Sequence, residues 1–95
     1  MKISEVTTND LIEYARETAD SEVTKTFGTI LLAAKSYIRN YTGLTVEQMD
    51  AKEDLTIALM VLANEMYENR VFTVQDNKVN VVIKSILDMH SINLL

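Results

Sequence analysis

His90 is the only histidine in a chain without cysteine, so it is the one side chain whose ordinary chemistry suits proton transfer near neutral pH. A general base also needs an orienting partner and a group to deprotonate. His90 lies near the end of a predicted helix with only Asp88 and Ser91 close in sequence, so a helix-terminal or half-buried histidine accounts for it better than a catalytic one. Glu65 and Glu68 resemble the carboxylates of helical di-metal sites, but those sites use Glu-x-x-His pairs and none occurs here. A Glu-x-x-Glu on the polar side of a helix is an ordinary solvated pair. Nor is there a Gly-rich phosphate loop, a nucleophile elbow or a His-Glu-x-x-His stretch. The inventory predicts no catalytic residue, no cofactor site and no metal site. Tyrosine supplies contact area with a polar tip. Of Tyr14, Tyr37, Tyr41 and Tyr67, Tyr37 falls off the main stripe of its helix and is the better interface candidate, whereas Tyr41 and Tyr67 read as core packing.

The elements that would position these groups follow from composition and spacing. Ninety-five residues with a 47% hydrophobic share fit one modest domain. Nine basic residues face fourteen acidic ones, a net charge of −5, and the bases form no run. Duplex binding depends on Lys and Arg neutralising phosphates, so this balance argues against the domain gripping nucleic acid by itself. Residues 1–5 lack the apolar stretch of a signal peptide. The longest apolar run, Ile57 to Ala63, falls far short of the roughly 20 residues of a membrane span. These observations predict an intracellular protein with no membrane partner.

The chain has no proline and only two glycines, which suits helices with short joints. The spacing predicts an all-α bundle of four to five helices, at about 8–18, 21–42, 45–50, 52–69 and 79–90. Thr7 or Thr8 caps the first, which buries Leu11, Ile12 and Ala15, and Asp20 or Ser21 caps the second. The second helix has a single stripe of Val23, Phe27, Ile30, Leu31, Ala34, Ile38 and Tyr41 and ends at Gly43, where a left-handed residue is wanted. Gly28, inside that helix, either permits a close helix approach or sits there by chance. Thr45 and Gln48 form a capping-box pattern, and a break is expected between like-charged Asp50 and Asp54. The fourth helix is apolar almost all the way round, from Leu55 to Ala63, so it must be covered on every side by its own fold or by a neighbouring chain. Residues 71–78 read as a loop or short extended segment, with Asn77 available to cap a last helix whose inward residues are Val79, Val82, Ile83, Ile86 and His90.

Three segments in order carry a resemblance: residues 9–16 (Asn-Asp-Leu-Ile-Glu-Tyr-Ala-Arg), residues 33–43 (Ala-Ala-Lys-Ser-Tyr-Ile-Arg-Asn-Tyr-Thr-Gly), and Tyr67-Glu68-Asn69-Arg70. Together they resemble the small head–tail connector (head completion, DNA-packaging) proteins of long-tailed bacteriophages and prophages. The motif positions are Tyr41, Thr42, Gly43, Tyr67, Glu68, Asn69 and Arg70. Those proteins often enter the last helix through a proline and end in Tyr-Arg, whereas this chain reads Ile86-Leu87-Asp88-Met89-His90. The resemblance implies a homo-oligomeric ring between portal and tail or stopper protein, with DNA passing through it without sequence-specific binding. It places the protein in the bacterial host cytoplasm during assembly and then at the head–tail junction of the virion.

For such a ring the candidate subunit or partner contacts are Tyr37, Met60, Arg70, Phe72, Leu94 and Leu95. The alternative is a small helical DNA-binding or regulatory adaptor domain, which needs a basic recognition helix. The last helix carries only Lys84, and the second carries Lys25, Lys35 and Arg39, scattered rather than in a run. A small metal-dependent enzyme is the third reading.

Overall fold

A computed structural model describes residues 1–69 and 81–91, the side chains of Val81 and Val82 excepted. Over these it is an all-α bundle, as the spacing predicts. A 3-10 turn at Ile3–Glu5 precedes α1 (Thr8–Ala15), α2 (Ser21–Thr42), α3 (Val46–Asp50), α4 (Glu53–Asn69) and α5 (Val81–His90). The expected segment at 71–78, its cap Asn77, and Arg70, Phe72, Val79, Leu94 and Leu95 lie outside the described residues.

Side-chain caps start the helices. The Thr7 hydroxyl accepts from the Asp10 N–H at 3.2 Å while the Asp10 carboxylate accepts from the Thr7 N–H at 2.8 Å. Asp20, rather than Ser21, caps α2 by accepting from the Val23 N–H at 2.8 Å. Thr45 and Gln48 close the reciprocal box of α3, at 2.9 and 3.2 Å. The chain breaks between Asp50 and Asp54, as expected.

Helix ends differ more from expectation. Gly43 stops α2 at φ 71°, its N–H bonded to the Arg39 carbonyl. The first helix stops at Ala15 rather than near residue 18, because Arg16 turns left-handed at φ 58°. The Arg16 N–H bonds the Glu13 carbonyl and the Glu17 N–H bonds the Ile12 carbonyl, both at 3.1 Å, which is a Schellman closure without its usual glycine.

α4 is the centre of the bundle and meets every other helix. Phe27 near the start of α2 stacks on Tyr67 near the end of α4, ring centroids 4.4 Å apart, so these helices run antiparallel. Asp54 at the start of α4 meets His90 at the end of α5, so that pair is antiparallel too. The core joins Leu11 and Ile12 of α1, Phe27, Ile30, Ala34 and Ile38 of α2, Leu55, Leu59, Leu62 and Met66 of α4, and Ile83 and Leu87 of α5. Among the described residues Gly28 meets no close approach: none lies within 4 Å of where its Cβ would stand.

Candidate functional site

The polar side chains converge where α3 hands over to α4. Asp54 sits in the first turn of α4, where the helix dipole favours its negative charge, and His90 sits in the last turn of α5. His90 Nε2 is 2.7 and 2.8 Å from the two carboxylate oxygens of Asp54, and this nitrogen donates to the carboxylate. Beside it the Tyr41 hydroxyl donates to the Asp88 carboxylate, and the Ser91 hydroxyl donates to the Tyr41 carbonyl at 3.3 Å. These bonds fix the last turn of α5 against both α2 and α4.

On the other side of the corner, the Asp50 carboxylate accepts from the hydroxyl of Ser4 at 2.7 Å and from its backbone N–H at 3.0 Å. The Ser4 hydroxyl first, then its N–H, hold the Asp50 carboxyl below the usual carboxylate range, because both stabilise the ionised form. Thr56 donates to the Met1 carbonyl at 2.7 Å and ties the same segment to α4.

Between the two tethers lies a groove of about 720 Å³, lined by Lys2, Glu5, Asp50, Lys52 and Glu53 together with Asp54 and His90. Among the described residues the lining supplies no hydroxyl or thiol nucleophile for the histidine to activate. Among the described residues no group of three or more His, Cys, Asp and Glu side chains is placed to hold a metal ion. The geometry of the His90–Asp54 pair is that of a latch joining two helix ends.

The motif residues are fold-building here. The buried Thr42 hydroxyl donates to the Ile38 carbonyl at 2.8 Å and accepts the Leu44 N–H at 3.3 Å, closing α2 just before Gly43. Tyr67 is half-buried on Phe27. Glu68 and Asn69 bond within α4, Glu68 accepting from Asn64 and Asn69 donating to the Glu65 carbonyl.

Of the interface candidates, Tyr37 is half-buried against the core with its ring 5.8 Å from that of Tyr41, so it faces inward more than its position off the stripe suggests. Met60 is also half-buried against the core. Among the described residues, strongly exposed apolar side chains on the helices lie elsewhere: Leu32 on α2 at 73%, Ile57 on α4 at 59% and Met89 on α5 at 74%. A helical wheel locates Leu32, which stands opposite the stripe of α2. Ile57 is hidden in the sequence, because it opens the unbroken apolar run that continues to Ala63.

Among the described residues no helix is long and apolar enough to cross a membrane. Fold and site define a class, a small all-α bundle latched at one corner by polar pairs. No family model, curated protein or solved structure matches the chain.

Proposed function

We propose that this chain is a structural subunit of a phage head–tail connector. Its copies form a ring between portal and tail, extend the DNA channel and complete the head after packaging. It assembles in the bacterial host cytoplasm and ends at the head–tail junction of the virion. The order of motifs from residue 9 to residue 70, which resembles that family, supports this reading. The observation that carries a ring is the side of α4 that its own fold leaves open, with Ile57 exposed and Met60 and Val61 half-buried. A central helix with an uncovered apolar side suits a subunit whose surface is completed by a neighbour. The net charge of −5 suits a conduit through which DNA slides. On this reading the His90–Asp54 pair serves to join two helix ends.

The native mass of the purified protein over a wide concentration range, with negative-stain images of the largest species, tests this reading. The expected result is a closed ring with a central hole. A chain that stays monomeric alone and also in the presence of purified portal protein would sink it.

A further inference from the structure

The exposed sides of α2 and α4 are complementary in charge. Along the outer side of α2 lie Lys25, Thr29, Leu32, Ser36 and Arg39, all exposed and spaced three or four residues apart. After Glu22 at its start, α2 contains no acid, so these cations are not offset on their own helix. The outer side of α4 carries Glu53, Ile57, Met60, Val61, Asn64 and Glu68, and the whole of Glu53–Asn69 contains no Lys or Arg. The two helices pack on each other through their buried stripes, so their exposed sides face away from each other on the bundle. A chain with complementary surfaces on opposed sides can associate head to tail, and such contacts close into rings when the rotation allows.

Spacing agrees with charge. At ~1.5 Å per residue, Lys25 and Arg39 stand about 21 Å apart and Glu53 and Glu68 about 22 Å apart. A neighbour rotated about an axis along the bundle presents its α4 antiparallel to this α2, the relation the two helices already have within one subunit. Arg39 then lies opposite Glu53, Lys25 lies opposite Glu68, and Leu32 falls at the middle of α4. There Ile57, Met60, Val61 and Asn64, at i, i+3, i+4 and i+7, outline a four-residue hole of the kind that accepts a leucine knob.

We propose that the occupant of the open side of α4 is a second copy of this chain. Leu32 of its α2 enters that hole, and Lys25 and Arg39 flank it against Glu68 and Glu53. The inference rests on the ring reading and names its subunit contact.

The test uses Leu32→Glu and Ile57→Lys. Both positions are exposed, both new residues are good helix formers, and each places a charge of the repelling sign in the contact. Circular dichroism should show native helix content in both variants. Each should require a roughly tenfold or greater concentration to assemble, the mark of a contact residue at the centre of an interface. Mixing them should restore association at lower concentration than either variant alone, since one contact between them joins two native sides and the other sets the introduced acid against the introduced base. Rings from both variants at native concentrations would overturn this contact and leave the ring reading standing. Failure of the native chain to associate at any concentration would overturn the contact and spontaneous assembly together. Retention of duplex DNA by the native chain, lost in a Lys25→Glu/Arg39→Glu variant with assembly unchanged, would assign the basic stripe to nucleic acid and overturn the proposal.

Discussion

The two long helices of this bundle pack against each other, yet they divide inside from outside in different ways. α2 is a one-stripe helix: Phe27, Ile30, Ala34 and Ile38 are fully buried, and the opposite side is polar apart from Leu32. α4 buries Leu55, Ala58, Leu59, Leu62, Ala63 and Met66 on one arc and leaves Ile57 out on the other. A peripheral helix needs one apolar side. A central helix touched by all the others needs most of its circumference apolar, and the part in excess of that need stays open to solvent. The contrast separates residues that make the core from apolar residues that the core does not use.

Substitution at the inner stripe is the strongest way to break that contrast. Phe27→Ala removes a fully buried ring that stacks on Tyr67 and should cost about 3–5 kcal/mol, a large share of the roughly 5–15 kcal/mol that holds a domain together. Urea denaturation measures it; a loss similar to that of an exposed site such as Ile57→Lys would erase the distinction between the two sides.

A smaller change in the opposite direction is expected at Gly28. It lies in the interior of α2 with open space around its missing side chain, so Gly28→Ala should stabilise by about 1 kcal/mol, or roughly 4–8 °C in Tm. Calorimetry reads this directly, and a fall in Tm would show that the glycine is needed for a contact across that surface.

The smallest effect is a pH response confined to the Ser4 tether. The folded-state pKa of Asp50 is depressed by Ser4, so the contribution of this tether is present at neutral pH and is lost as pH falls through the depressed value. Ser4→Ala should move the Asp50 titration back up toward the ordinary carboxylate range in a carbon-13 NMR experiment. An unmoved titration would remove the Ser4 hydroxyl as the leading cause and leave its backbone N–H.

Most of the architecture was legible in local signals. Thr7, Asp20, Thr45 and Gly43 mark helix ends through their own side chains or backbone freedom, so their meaning survives without knowledge of the fold. The early end of α1 was not legible, because arginine carries no signal for the left-handed turn that Arg16 adopts. The pairing of His90 with Asp54, thirty-six residues away, is a product of the bundle, and near-neighbour reading finds only Asp88 and Ser91. The basic side of α2 was obscured for a related reason. In sequence Lys25, Lys35 and Arg39 are scattered, and only the helical wheel puts Lys25 and Arg39 on one line, while Lys35 reaches instead to the Val6 carbonyl at 3.5 Å.

The corner between α3 and α4 has a consequence for how the chain is threaded. Asp50 holds residue 4, Asp54 holds residue 90, and Met1 and His90 line the same groove. The path of the backbone therefore returns to its own start, and the order of the elements is close to circular. In such an arrangement the first and last elements dock on a shared anchor. Residues 50–54 thus couple the N-terminal turn to the last turn of α5 across the start of α4.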